Sequence, residues 1–242
     1  MKAQIFAHRG ASGYAPENTL EAFDLAVRQG AHGVELDVHL CRSGELVVIH
    51  DETVDRVSDG SGAVRNLTLK ELKSFRFNRT HPEFENARLP LLSEVFQLLR
   101  PSGLSINIEL KNSVIDYPDL ERKVLDLAAR EFDLSRVIFS SFNHYSMLRV
   151  KEQNPSVPCG LLYDAALIRP WEYAARLGVD AIHPHYSEVL LVDECAPAHQ
   201  AGIRVNAWTV NTPEAMEAVL RAGVDILITN FPDQALKIAT RG

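Results

Sequence analysis

Short β-type runs alternate with amphipathic helical patterns along the chain. Runs at residues 3–8, 33–40, 104–111, 136–141, 157–162, 179–183, 202–208 and 224–229 predict strands. Helices are predicted near 19–29, 91–99, 119–131, 144–153, 170–177, 189–200, 213–221 and 233–239. Their apolar residues recur every three or four positions, as Leu20, Phe23 and Val27 do. Asn18 followed by Glu21 predicts a capping box on the first helix, and Gly30 its stop. Such β-then-α units with short links predict an α/β fold, a parallel sheet closed into a TIM (β/α)₈ barrel. An open doubly wound sheet is the rival, but no GxGxxG follows the first strand. One long interruption, approximately 51–90, is polar and glycine-rich and carries Phe75, Phe77 and Phe84. It is expected to be an insertion after the second strand, so that 1–242 form a single barrel domain.

Two strands break the aliphatic pattern in a regular way. In Val34-Glu35-Leu36-Asp37-Val38-His39 every second residue is polar, and Asn107, Glu109 and Lys111 repeat that parity. The aliphatic face of a barrel strand packs on the outer helices, so the polar columns should point into the lumen. Carboxylates crowded there repel one another and tend to hold protons. A hard divalent cation relieves that repulsion through oxygen ligands. The alternative is a buried salt-bridge network with Lys111, Arg9 or Arg204.

Chemistry-bearing residues also gather at strand ends, where barrel active sites form. His8 closes the first strand and precedes Arg9-Gly10; His50 closes a second extended run, Leu46-Val47-Val48-Ile49-His50. Either histidine alone reads as well as a hydrogen-bonded structural residue. Two histidines, an arginine, a lysine and three carboxylates near one rim supply more than that. They match the acid, the base and the fixed positive charge that phosphodiester hydrolysis requires.

Composition narrows the partners. Charge is -7 overall, with Lys and Arg scattered among acids, which argues against nucleic acid as a partner. No apolar run approaches the ~20 residues of a membrane-spanning helix. The start is too quickly polar for a secretory signal, so a cytoplasmic location without stable membrane association is expected unless a leader has been removed. Cys41, Cys159 and Cys195 have no metal-like spacing and read as ordinary thiols. The oligomeric state is not legible.

Taken together, His8-Arg9-Gly10, Pro16-Glu17-Asn18-Thr19, Glu35-Leu36-Asp37-Val38 and Val48-Ile49-His50-Asp51 closely resemble the glycerophosphodiester phosphodiesterase family. Ile108-Glu109-Leu110-Lys111, Ser140-Ser141-Phe142 and Trp208-Thr209-Val210-Asn211 extend the likeness to essentially the whole chain. The resemblance implies a TIM barrel that hydrolyses a small-molecule glycerophosphodiester to an alcohol and sn-glycerol 3-phosphate. It implies His8 and His50 as the acid–base pair, in either order. It implies Glu35, Asp37 and Glu109 as ligands of one divalent cation, Mg²⁺ or Ca²⁺, with Arg9 and Lys111 on the phosphate. Trp208 should line the glycerol or leaving-group side. Glu17 and Asn18 should be supports, and Phe142 either a wall or a packing residue. Asn230 stands where the family often has Asp, which touches only the support of the last βα loop.

The remaining features read more plainly. His183-Pro184-His185 has the spacing of a metal pair but no matching acids, so His183 is expected to line the pocket. His32, His81, His144 and His199 read as surface or loop residues, and the three insertion phenylalanines as a small satellite core. An enzyme for whole lipids would need a membrane-facing apolar rim, which an aromatic content of 7% supports little. A non-catalytic phosphoester-binding protein would need neither histidine.

Overall fold

A strand sends successive side chains to opposite faces, so a barrel needs an apolar outer set and a separate set to fill its lumen. This chain supplies both. In the computed structural model, which describes residues 2–241, the strands are β1 (Gln4–His8), β2 (Gly33–Leu40), β3 (Leu46–Val48), β4 (Ser105–Leu110), β5 (Val137–Ser141), β6 (Cys159–Tyr163), β7 (Ala181–Pro184), β8 (Arg204–Ala207) and β9 (Ile226–Thr229). Met1 and Gly242, the ends of the expected domain, lie outside the described residues. All but β3 pair in parallel around a ring that closes where β1 meets both β2 and β9. The fold is therefore the expected (β/α)₈ barrel, with one extra strand: β3 runs antiparallel to the end of β2.

Outward residues such as Val34, Leu36, Ile106, Ile108, Phe139 and Leu161 enter the main core between the sheet and its helices. Those helices include α1 (Leu20–Arg28), then α3 (Leu92–Leu99) after a short α2 (Leu69–Ser74), α4 (Leu120–Glu131), α5 (His144–Gln153) and α6 (Pro170–Leu177). The rest are α7 (Tyr186–Leu191), α8 (Cys195–Gln200), α9 (Pro213–Ala222) and α10 (Pro232–Arg241). Inward residues make layers. Phe6, Ile226 and Ile228 form an apolar plug, with Ile138 and Trp208 against it. One level of the register sets His8 beside Glu35 and Glu35 beside Asn107. The next sets Asp37 beside Glu109 and Glu109 beside Ser140. The polar residues thus stack toward the C-terminal ends of the strands.

Three local expectations change. The helix expected over 189–200 is two helices, α7 and α8, with extended backbone at Val192 between them. Pro197 explains the break, because proline is tolerated only in a first turn and α8 restarts two residues before it. Asn18 does not cap α1: Thr19 does, its side chain accepting from the Ala22 amide at 3.3 Å. The 51–90 connection contains α2, closed by a Thr68–Glu71 capping box, and has its own small core of Val54, Val57, Val64, Leu72 and Phe77. Phe75 packs on that core.

Gly10 is where the first loop turns against α1. Its φ is +78°, and a Cβ there would lie 2.6 Å from the Ala22 carbonyl carbon. Gly30, after α1, has the same φ of +78°, but a Cβ there would meet nothing within 4 Å. Gly30→Ala should therefore cost only the left-handed backbone penalty, about 1 kcal/mol. Gly10→Ala adds overlap with helix backbone and should cost at least about 2 kcal/mol more. Chemical denaturation of the two variants checks this, and equal midpoints would refute the close-approach argument.

Candidate active site

Two adjacent barrel strands, β2 and β4, bring Glu35, Asp37 and Glu109 together. All three are buried, and one oxygen from each lies within 4.8 Å of the other two. His8 comes in from β1, its Nε2 3.9 Å from Glu35 Oε2. His50 arrives by the β3 hairpin, whose end is tied down where the Ile49 amide donates to the Asp37 carbonyl at 3.0 Å. His39, on the same face of β2, is a support: its ring bridges the His50 carbonyl at 3.1 Å and the Tyr117 hydroxyl at 2.9 Å. The predicted residues His8, His50, Arg9, Lys111, Glu35, Asp37 and Glu109 do converge at one mouth.

The cations interleave with the acids. Arg9 adopts a left-handed φ of 56°, uncommon for a residue with a side chain and a form of strain that collects at functional sites. Its amide donates to Glu35 at 3.0 Å, its Nη1 donates to Glu17 at 2.8 Å, and its Nε lies 3.4 Å from Asp37. Lys111 Nζ donates to Glu109 at 2.8 Å and lies 3.8 Å from Asp37 Oδ1. Arg204, the other cation considered for this network, is exposed at the start of β8 and takes no part. Asn18, also left-handed, donates to Asp37 Oδ2 at 2.8 Å, which is why it is unavailable as a cap.

Burial and mutual repulsion divide the three acids. Burial, then Asp37 and Glu109, push the Glu35 carboxyl well above its ordinary value. Burial likewise raises Glu109, despite Lys111. Burial opposes ionisation of Asp37 too, but Arg9, Lys111 and other donors hold its carboxyl below the usual range. Asp37 Oδ1 is nevertheless buried without a hydrogen-bond donor. Counting Glu17 and Asp51 with the trio, five carboxyl groups face three cations, Arg9, Lys111 and Arg56, so full ionisation of the acids would leave two negative charges unmatched. An all-oxygen set with that deficit and an orphaned carboxylate oxygen fits a hard divalent cation.

The two histidines differ on the far side of the ring. His8 Nδ1 meets Asn230 Oδ1 at 2.7 Å, so Nδ1 carries the proton and Nε2, 3.4 Å from the Thr209 hydroxyl, is left as an acceptor. Burial, reinforced by Arg9, lowers the His8 pKa to about 3 and keeps the ring neutral. Asn230 is therefore more than a loop support: it selects the tautomer of a site histidine. His50 Nδ1 instead meets the Asp51 carboxylate at 2.7 Å.

Asp51 belongs to a chain that the sequence did not announce. Arg56, from the insertion, grips Asp51 at 2.7 and 3.0 Å and Glu17 at 2.7 and 2.8 Å. One guanidinium thus fixes the partner of His50 and the partner of Arg9 together. Asp51 adjoins His50 in sequence and could have been suspected for that; Arg56 carries no local pattern. Burial disfavours the Asp51 charge, but Arg56 and His50 hold its pKa down to about 2.

Trp208 stands on the opposite side, its Nε1 donating to the His183 carbonyl at 2.8 Å and its ring edge-on to Phe142 at 5.6 Å. Phe142, half-exposed, thus packs against Trp208. His183 is fully buried and accepts from Asn206 at 2.8 Å, while His185 turns to Ser187 at 2.7 Å, so the two do not converge on a common ligand. His144, expected at the surface, is half-buried and bonded to the Leu162 carbonyl at 2.9 Å.

Residues 8–234 match the Glycerophosphoryl diester phosphodiesterase family. A glycerophosphodiester phosphodiesterase of Caldanaerobacter subterraneus subsp. tengcongensis is 42% identical over 246 residues, covering 100% of both chains. One from Bacillus altitudinis is 38% identical and covers 97% of each. Among solved structures, an Oleispira antarctica phosphodiesterase in complex with the product sn-glycerol-3-phosphate superposes with a TM-score of 0.91 at 28% identity, covering 99% of this chain and 97% of that one. The glycerophosphodiester phosphodiesterase of Thermotoga maritima gives a TM-score of 0.81, also at 28% identity, with 98% and 99% covered.

Arg56→Ala should separate activity from stability. The guanidinium is 45% exposed, so its ion pairs should contribute no more than about 1 kcal/mol to folding. Losing the grip on Asp51 and Glu17 together should lower kcat on the order of 10-fold, since small misplacements of catalytic groups are costly. Arg56→Lys, which cannot bridge two carboxylates bidentately, should recover little. Thermal melting beside turnover tests this; unchanged kcat in both variants would remove Arg56 from the site.

Proposed function

The chain belongs to the glycerophosphoryl diester phosphodiesterase family, and from that premise we propose that it hydrolyses glycerophosphodiesters to an alcohol and sn-glycerol 3-phosphate, the whole chain acting as one catalytic barrel domain. In this reading Glu35, Asp37 and Glu109 hold one divalent cation, Mg²⁺ or Ca²⁺. When bound, that ion supplies Lewis acidity to the phosphoryl oxygens and to the attacking hydroxyl. The observation that carries the proposal is the buried carboxylate trio, within 4.8 Å, with His8 3.9 Å from one member.

This chain's own residues divide the remaining work. Arg9 and Lys111 supply fixed positive charge for the phosphodiester oxygens, which then compete with Glu17 and Glu109 for the same donors. His8, neutral and with Nε2 unprotonated, serves as the base for the nucleophile. His50 serves as the acid: its Nδ1 faces the Asp51 carboxylate, an anionic partner for the imidazolium that donates from Nε2. Trp208 lines the organic part of the substrate.

Glycerol 3-phosphate release from glycerophosphocholine tests the reading. Wild type should be active and should lose activity on chelation, with recovery on adding Mg²⁺ or Ca²⁺. His8→Ala and His50→Ala should each fall by ~10²–10⁴-fold while melting normally. Activity indifferent to the chelator and to both substitutions would end it.

Ion binding should also move protons. Glu35 and Glu109 titrate above the ordinary 4.5 in the ion-free protein. Their stabilising contribution is then complete below pH 4.5 and is lost as pH rises through the raised values, because the folded state holds protons the unfolded state has released. A cation must displace those protons. Calorimetric titration of Mg²⁺ or Ca²⁺ in buffers of different ionisation enthalpy should show proton release, and the release should shrink in Glu35→Gln. Buffer-independent heats would contradict a carboxylate site of this kind.

A further inference from the structure

The His50 side chain is held from the insertion, through Asp51 and Arg56. Its backbone is held from a different part of the molecule. The antiparallel ladder between β2 and β3 ends at the Val38–Val48 pair. Two residues beyond it the chain bends, and there the His50 carbonyl meets His39 Nε2 at 3.1 Å. Across the same ring, His39 Nδ1 meets the Tyr117 hydroxyl at 2.9 Å. Tyr117 lies outside every stretch that carries the family resemblance.

The hydrogens in this chain have one direction. A carbonyl oxygen only accepts, so Nε2 of His39 carries the ring proton. Burial lowers the His39 pKa and keeps the ring neutral, which leaves Nδ1 as an acceptor and makes the Tyr117 hydroxyl its donor. Burial also raises the Tyr117 pKa to about 12, so the hydroxyl keeps its proton. The bonds run from hydroxyl to ring to carbonyl.

The far end of the chain is firmly based. Tyr117 is 6% exposed, and its ring sits in the main core, edge-on to His39 at 5.7 Å. Its carbonyl accepts from the Leu120 amide at 3.3 Å, at the onset of α4. The second residue of α4, Glu121, is buried and accepts from Asn112 at 3.0 Å, Ser146 at 2.6 Å and Arg149 at 2.6 Å. Asn112 follows Lys111 directly, so the connection from β4 to α4 is tied beside the lysine at one end and beside Tyr117 at the other. His50 is thereby referred to the strand that bears Glu109 and Lys111.

We propose that Tyr117, acting through His39, is a positioning residue that sets the backbone of His50 and with it the aim of its imidazole at the departing alcohol. The inference rests on the hydrolytic reading above and deepens it. As the phosphorus–oxygen bond to the alcohol breaks, its electron pair goes to that oxygen, which takes the proton from His50 Nε2. A shift of the His50 backbone spoils this transfer while leaving phosphate binding by Arg9 and Lys111 intact.

The test pairs two leaving groups. Glycerophosphocholine expels an alkoxide that needs a proton, whereas the glycerophosphodiester of 4-nitrophenol expels a phenolate that is stable without one. His50→Ala calibrates the pair, with a loss of ~10²-fold or more on the first ester and far less on the second. Tyr117→Phe should lower kcat on glycerophosphocholine on the order of 10-fold with KM unchanged, and should leave the 4-nitrophenyl ester near wild type. Added to His50→Ala, the same substitution should cost nothing further, because its effect runs through the imidazole already removed. His39→Leu should repeat the selective loss. His39→Gln, whose amide can still donate to the carbonyl, should recover most of it, and this pair decides the matter if Tyr117→Phe melts early. Equal losses on both esters, or none, with His50→Ala still selective, would overturn the positioning role and leave the hydrolytic reading standing. A His50→Ala enzyme impaired equally on both esters would overturn the acid assignment and the inference together.

Discussion

Glu35, Asp37 and Glu109 bring charge-bearing oxygens within 4.8 Å of one another inside a lumen closed off by packed strands. At that separation, and at an effective dielectric of about 20, any two of them ionised together repel by about 3.5 kcal/mol. Nothing in the fold relieves this for free. Much of the site can be understood as a response to it. Arg9 accepts a left-handed backbone to present both its amide and its guanidinium. Lys111 lies against Glu109, Asn18 leaves its helix cap for Asp37, and burial beside Asp37 and Glu109 pushes the Glu35 carboxyl above its ordinary value. Even so, one oxygen of Asp37 stays without a donor. A bound cation would meet the same need more fully, with Arg9 and Lys111 then released toward an anionic substrate.

Strand parity is what makes so crowded a site compatible with a stable barrel. The outward residues of β2 and β4 are uniformly aliphatic and buried under helices, so these strands are held without any help from their inner faces. The lumen below the acids is plugged by Phe6, Ile226 and Ile228. Polar chemistry is therefore confined to the layers nearest the strand ends, where loops can complete it. Register does the rest: Asp37 lies beside Glu109 because Gly33 pairs with Ser105, four residues earlier on each strand.

The same parity decides what is legible in the sequence. Alternation along Val34–His39 and Ile106–Lys111 reveals both the strands and the inward polar column, because period-two patterning is local. The barrel strands accordingly fall where aliphatic runs predict them. Contacts between distant segments leave no such trace. Asn18 has the composition of a cap and Glu21 the right spacing, yet a carboxylate 19 residues away claims its side chain. Asn230 reads as a loop support, but a separation of 222 residues hides its bond to His8. Pro197 is a helix breaker on sight, and its full weight divides the helix expected over 189–200.

The insertion is the part whose role changes most once its contacts are known. A connection of this length without internal order could not hold a guanidinium to a fixed position against the entropy of the loop. Here Val54, Val57, Val64, Leu72 and Phe77 give it a core that packs on Val47 and Ile49 of the β3 hairpin. That places Arg56 on a base as firm as the hairpin itself, and the same hairpin carries His50. His50, its Asp51 partner and the arginine that grips Asp51 are thus anchored by one satellite core. Through Glu17 that arginine also reaches Arg9 on the barrel proper. Two separately packed bodies, barrel and insertion, are joined by ion pairs at the point where the chemistry needs them in register.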